Sequence, residues 1–244
     1  MKPKTQIFHS LRTLSEALAK EIIDLANNSF RSKTPCYIML SGGSTPKALF
    51  EVIAKSPPTA ISWEMVHFFW GDERCVPPDD LESNYGMAWQ TLLEKLSIPP
   101  SNIHRIRGEE NAEFEAKRYS DELKKAAPAK NGIPVFDLIM LGMGDDGHTA
   151  SIFPDRIDII DSENLSEATV NPYTGQQRIT VTPKALNNAQ KIVFMVTGKN
   201  KAGVVSEILL QKGDYLSYPA SYIKPEAGEL VWMLDEDASR LLPR

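Results

Sequence analysis

The sequence predicts an α/β protein in which helices cover both faces of a mainly parallel β-sheet. Short apolar runs at residues 36–40, 65–70, 135–141 and 191–197 have the length of strands buried on both faces. Segments with apolar residues at helical spacing separate them, and strands alternating with helices build parallel sheets. Several runs end in glycine-rich or charged turns, where open sheets of this class place their ligands. No internal repeat, low-complexity tract or linker interrupts the alternation, so residues 1–244 are expected to form one domain.

Taken in order, Ser10 can cap a helix whose Leu11, Leu14, Leu18, Ile22 and Leu25 follow helical spacing. Pro35 ends the connection and residues 36–40 form a strand. After Ser41-Gly42-Gly43-Ser44-Thr45, Pro46 is pre-set for the first turn of a helix that buries Ala48, Leu49, Val52 and Ile53. Residues 65–70 are the next strand, closed by Gly71-Asp72-Glu73-Arg74. Ser83 caps a helix running to about Leu96, which Ile98-Pro99-Pro100 breaks. A short strand over 103–106 and a charged amphipathic helix over 110–127 follow. Residues 135–141 are apolar apart from Asp137, and Gly142, Gly144 and Gly147 then let the chain turn tightly. Residues 155–177 are polar and turn-rich, readable as a lid, an excursion of small strands or solvated loop. Strands over 178–182, 191–197 and 230–234, a helix over 201–211 and a short final helix complete the chain.

Composition narrows the function classes. Of the 244 residues 42% are hydrophobic, enough for one large core, and the formal net charge of -5 without a run of like charges argues against a nucleic-acid surface. Cys36 and Cys75 show no metal-ligand spacing and are too few for a disulfide framework, which points to a reducing cytoplasm. The start, MKPKTQIFHS, is charged and then polar, and no stretch approaches ~18 apolar residues; neither a leader nor a membrane span is expected. Composition leaves the assembly open between a monomer and a small homo-oligomer.

The candidate chemistry lies in the turns. Gly42, Gly43, Ser44 and Thr45, between a strand and a helix, bring backbone N–H groups, hydroxyls and a helix start to one place, which suits a phosphate. Walker spacing is absent, so a phosphate monoester fits better than a nucleoside triphosphate. Arg74 can clamp a phosphate or carboxylate while Asp72 or Glu73 holds it or binds sugar hydroxyls. Lys201, after Thr197-Gly198, is a second candidate cation. His148 is the only one of four histidines in a glycine-rich loop after a buried strand; oriented by Asp145 or Asp146, it suits a general base for water. Gly142, Gly144 and Gly147 match a dinucleotide pattern, but two carboxylates would repel a pyrophosphate and Pro154 arrives too early for a phosphate-facing helix. Asp145, Asp146 and His148 are also metal-ligand types, although three ligands on one tight loop are geometrically awkward. Cys75 reads as an inert thiol rather than a nucleophile.

Together SGGSTP, GDER followed by VPPDDLESNYGMA, FDLIMLGMGDDGHTASIFP, RITVTP and PASYIKPEAGELVWMLDEDA resemble the 6-phosphogluconolactonase family, over residues 40–238. The resemblance implies a modified Rossmann-like sheet, shared with glucosamine-6-phosphate deaminases and ribose-5-phosphate isomerases, and hydrolysis of 6-phosphoglucono-δ-lactone with no metal or organic cofactor. It places the phosphate on Gly42, Gly43, Ser44 and Thr45 with Arg74 and Lys201. It makes His148 the base and Asp146 its orienting carboxylate, and brings Arg178 to the pocket. Asp145 is a departure from the family pattern and receives no role. Glucosamine-6-phosphate deaminases share the Asp-Gly-His but follow it with a glutamate; here Thr149-Ala150-Ser151 follows instead. A sugar-phosphate sensor on the same fold would be expected to carry a DNA-binding segment, and no basic or helix-turn-helix-like stretch is read before Leu40.

Overall fold

A computed structural model describes residues 3–55 and 62–243; the first two positions of the charged start lie outside them. Strand β1 (Lys4–Phe8) leads to helix α1 (Leu11–Ser32), which starts where the Ser10 hydroxyl accepts the Thr13 N–H and the Thr13 hydroxyl accepts the Ser10 N–H. Leu14, Leu18 and Ile22 are buried along α1, as their spacing requires. β2 (Cys36–Leu40), α2 (Ser44–Ala54), β3 (Val66–Trp70) and the short β4 (Asp72–Arg74) come next. They are followed by α3 (Asn84–Thr91), β5 (Ile103–His104) and α4 (Ala112–Ala126). A small hairpin of β6 (Ala129–Lys130) and β7 (Ile133–Pro134) precedes β8 (Leu138–Leu141). β9 (Ser166–Val170), β10 (Gln177–Val181), α5 (Pro183–Leu186), β11 (Lys191–Val196), α6 (Ala202–Leu210), β12 (Glu229–Asp235) and α7 (Glu236–Ser239) finish the chain.

Among the described residues, seven strands form a wholly parallel sheet in the order β1-β12-β11-β8-β2-β3-β5. Every residue of β8 is buried, and all but one in each of β2, β3 and β11, because helices cover both faces. From β1 through β2 and β3 to β5 the chain steps toward one edge; from β5 through β8 and β11 to β12 it steps back. Right-handed crossovers then put α1, α2 and α3 on one face and α4, α5 and α6 on the other. The direction reverses between the neighbours β2 and β8, and such a switch point opens a crevice beyond the strands' carboxyl ends. The loops after β2 and β8, which carry the glycine-hydroxyl segment and the histidine, both emerge there. A separate groove of about 290 Å³, lined by Ile208, Tyr215, Ile223 and Trp232 among others, lies against α6 and β12 and shares no residue with those loops.

Structure and sequence reading part at a few segments. Residues 72–74 are not a closing loop: they pair antiparallel with β10, which also pairs with β9, in a separate three-stranded sheet. Residues 178–182 therefore do not join the parallel sheet. The polar segment 155–177 is an excursion, built from a 3₁₀ stretch (Pro154–Asp161), β9 and a turn. The helix capped by Ser83 stops at Thr91, where Leu92 leaves helical geometry (φ -132°, ψ -65°) and a 3₁₀ turn (Leu93–Lys95) follows. Ala48 and Val52 of α2 are only half-buried, and Phe50 takes a core position instead. The edge strand β1 and the β6–β7 hairpin have no counterpart in the sequence reading.

Candidate active site at the sheet switch point

The loop after β2 is shaped by two glycines for different reasons. Gly43 precedes α2 with φ 102°, a conformation side chains disfavour, and no side chain caps the helix start. The first amides of α2 are thus left facing the crevice, where an anion would be stabilised. Gly42 is needed for room: a Cβ there would lie 1.7 Å from Asn84 Oδ1. Thr45 meets Thr197 hydroxyl to hydroxyl at 3.3 Å, which ties this loop to the end of β11.

The small sheet adjoins the loop through Asn84, which Gly42 abuts and which donates to Asp72 of β4. Alternation along β4 puts Asp72 and Arg74 on one face and Glu73 on the other. Arg74 is the register partner of Arg178 on β10, so the two guanidiniums lie side by side. Arg74 Nη1 donates to the Glu82 carbonyl (2.7 Å), while its buried Nε has no partner. Arg178 Nε donates to Gln176 (2.9 Å). Among the described residues no carboxylate pairs with either guanidinium; burial, and then the charge of Arg74, pushes the Arg178 pKa down. Two crowded cations with spare donors have the chemistry that suits a doubly charged anion. Asp72, expected at the substrate, is buried and spends its oxygens on protein: Oδ2 accepts the Ser151 hydroxyl (2.7 Å) and Oδ1 the Asn84 amide (3.3 Å). It holds the histidine loop and α3 against the small sheet.

Glu73 does comparable work on the other face. It is 1% exposed, yet accepts four hydrogen bonds: the Arg74 and Asn84 N–H groups on Oε1 (2.8 and 2.7 Å), the Tyr85 N–H and Ser83 hydroxyl on Oε2 (2.8 and 3.1 Å). Burial pushes its carboxyl up to about 7, against the pull of those amides. Glu73→Gln keeps the shape but makes one acceptor a donor. Its best placement satisfies Ser83 and leaves the Tyr85 N–H unpaired, a loss of about 1–3 kcal/mol. The variant is expected to melt lower, by roughly 2–4 °C per kcal/mol for a chain of this size. Unchanged melting would mean that α3 does not depend on this carboxylate.

The histidine loop turns on itself: the Gly144 N–H donates to the His148 carbonyl (2.9 Å) and the Gly147 N–H to the Gly144 carbonyl (3.1 Å). This brings His148 Nδ1–H onto Asp146 Oδ1 at 2.6 Å, with the His148 backbone N–H on the same oxygen (3.1 Å). Burial disfavours the Asp146 charge, but hydrogen bonds from His148 and Tyr173 outweigh it and hold the carboxyl below its ordinary range. With Nδ1 engaged, Nε2 is the nitrogen left to accept a proton. Asp145 faces the other way: it pairs with Lys201 at 2.8 Å and accepts both of its contacts from the Asn200 amide at 2.8 Å. Lys201 also donates to the Met143 carbonyl (2.5 Å), so its ammonium is engaged within the protein. The two carboxylates thus diverge instead of converging on a metal position. No helix follows the glycine pattern, only a bridge between Thr149 and Ile152 and the 3₁₀ stretch. Burial, and then the Glu73 charge, pushes the Cys75 thiol up to about 11, which leaves it a poor nucleophile.

The structure therefore gathers Gly42 to Thr45 with Thr197 on one wall, pairs Arg74 with Arg178, and joins His148 to Asp146, while Asp72 and Lys201 are taken up by protein partners. Asn84, Ser151 and Tyr173 were not legible as site residues; they act through pairings with residues well separated in the chain, which no local pattern encodes. A histidine held by a carboxylate at the switch point of a parallel sheet, in a molecule that also pairs two arginines on its small sheet, is the equipment of an α/β enzyme for small anionic substrates. Residues 9–232 match the family model described as glucosamine-6-phosphate isomerases/6-phosphogluconolactonase, and the chain belongs to that family. It is 49% identical over 209 residues to a 6-phosphogluconolactonase of Haemophilus influenzae, covering 85% of this chain and 88% of that one. A 6-phosphogluconolactonase of Synechocystis is 37% identical, with 99% of each chain covered. The crystal structure of 6-phosphogluconolactonase from Leishmania guyanensis superposes with a TM-score of 0.88 at 29% identity, covering 100% of both chains. No helix among the described residues is long and apolar enough to cross a membrane.

Proposed function

We infer that the protein is a 6-phosphogluconolactonase, a carboxylic-ester hydrolase that opens 6-phospho-D-glucono-1,5-lactone to 6-phospho-D-gluconate in the oxidative pentose phosphate pathway. The observation that carries the reading is the His148–Asp146 pair at the switch point, its Nδ1 committed and its Nε2 available. The sugar 6-phosphate is assigned to the Gly42, Gly43, Ser44 and Thr45 loop with Arg74 and Arg178. Lys201 contributes less, because Asp145 already balances its charge. Anchoring the phosphate away from the reacting carbonyl fixes the lactone and converts binding energy into orientation.

His148 Nε2 takes a proton from water as its oxygen bonds to the lactone carbonyl carbon. The tetrahedral intermediate then expels the ring oxygen, which takes that proton from the imidazolium, and the acid ionises. A lactone is an activated ester, so a positioned water and a base suffice; base assistance contributes about 10²–10⁴-fold. The whole chain acts as one sugar-phosphate hydrolase domain working in the cytoplasm on a small molecule, as a monomer or small homo-oligomer.

Amino-sugar deamination is the rival within the family, and it lacks the glutamate after the histidine here. The test is an assay on fresh lactone beside one for ammonia release from glucosamine 6-phosphate. Rapid acid production above the spontaneous rate and no ammonia are expected; the reverse would overturn the reading. In the same assay Arg178→Ala should raise KM about 10-fold or more with kcat changed less, since a charge-assisted contact to phosphate is lost.

A further inference from the structure

The turn between β9 and β10 lies in the segment whose role the sequence left open, and it delivers one side chain to the histidine loop. Tyr173 donates its hydroxyl to Asp146 Oδ2 at 2.7 Å, while Oδ1 of the same carboxylate serves His148. The Phe153 ring packs between them, 4.8 Å from the His148 ring and edge-on to Tyr173 at 6.5 Å. The turn itself is firmly built. Asn171 Oδ1 accepts the N–H groups of Tyr173 and Thr174 (2.9 and 3.3 Å), and Asn171 exchanges backbone hydrogen bonds with Gly175 and Gln176. Gln176 next to it accepts from Arg178 and donates to Glu82 (both 2.9 Å). One hairpin therefore fixes an arginine of the proposed anion site and a hydroxyl on the carboxylate that orients His148.

We propose that Tyr173 is a positioning residue for the hydrolysis: by holding Asp146 Oδ2 it keeps Oδ1 on His148 Nδ1, which leaves Nε2 aimed at the water. The inference rests on the lactonase reading above. A carboxylate's terminal torsion is broad, so a carboxylate held at one oxygen only can swing. Tyr173 is 69% exposed, so deleting its hydroxyl lets solvent reach an oxygen it now occupies. The hydrogen bond to Asp146 raises the Tyr173 pKa, so the phenol stays a donor through the working range. Freed at Oδ2, the carboxylate swings part of the time off Nδ1 and holds the imidazolium less firmly. The other charges nearby are accounted for: Asp145 is turned to Lys201, and Asp155 acts on Tyr173 through its charge.

The test is Tyr173→Phe beside His148→Ala, with kcat, KM and the pH profile of kcat/KM measured on fresh lactone. Tyr173→Phe is expected to lower kcat about 3- to 10-fold with KM within twofold, and to move the acidic limb of the profile to lower pH by a few tenths, because the imidazolium is less firmly held. A wild-type kcat and limb in Tyr173→Phe, with His148→Ala inactive, would overturn this inference and leave the base assignment standing. A rise in KM with kcat and limb unchanged would also overturn it, making Tyr173 a substrate contact. Full activity in His148→Ala would instead remove the reading beneath it.

Discussion

Replacing His148 with alanine is expected to lower kcat for the lactone by about 10²–10⁴-fold while 6-phosphogluconate still binds within about twofold of wild type. The size follows from what is removed. The arginine pair and the α2 start are untouched, so the phosphate site proposed there is left intact. What disappears, on the proposed mechanism, is the group that takes the proton in the transition state and returns it to the departing ring oxygen. Because the lactone hydrolyses unaided, the rate must be read as the excess over a protein-free control at each pH. Asp146→Asn should fall nearly as far: an amide cannot stabilise the imidazolium, and its N–H₂ can turn toward Nδ1 and favour the wrong tautomer. Binding lost in step with kcat in His148→Ala would place the imidazole in ground-state binding instead.

The parts of this site that were legible in the sequence are those fixed by local patterns. The runs that became β2 and β8 are apolar on both faces, and the turns after them carry the glycines, hydroxyls and histidine that local pattern reading picks out. The arginine pair was only half legible. Asp72 to Arg74 are three charged residues that form a strand only because β10, far later in the chain, offers its edge. Charged strands of three residues carry no alternation to detect. β1 escaped for a related reason: as an edge strand with four of its five side chains exposed, it shows neither an apolar run nor period-two alternation. Tyr173 sits in a polar turn where a tyrosine reads as surface, and its bond to Asp146 exists only once that turn is folded over the loop.

The loop's glycines make a sharper test of geometry than any change of a titrating group. A Cβ on Gly144 would lie 2.0 Å from His148 Nδ1, 2.2 Å from Cε1 and 2.5 Å from Asp146 Oδ1, so Gly144→Ala cannot coexist with the dyad as built. The backbone there is pinned by hydrogen bonds to His148 and Gly147, and Gly144 is not among the glycines with positive φ, so alanine is conformationally acceptable. The side chains must therefore give way, and the His148 ring, 32% exposed, has solvent to move into. A fall in kcat of about 10²-fold or more is expected, the scale set by misplacing a catalytic group by an ångström. Melting should stay within a few degrees of wild type, because no core contact is lost. Gly142→Ala is the matched control, since its Cβ would meet nothing within 4 Å, and it should keep near-normal turnover. If both alanines proved equally active, the imidazole would not need its present place beside Asp146, and catalysis would have to run through another arrangement of the loop.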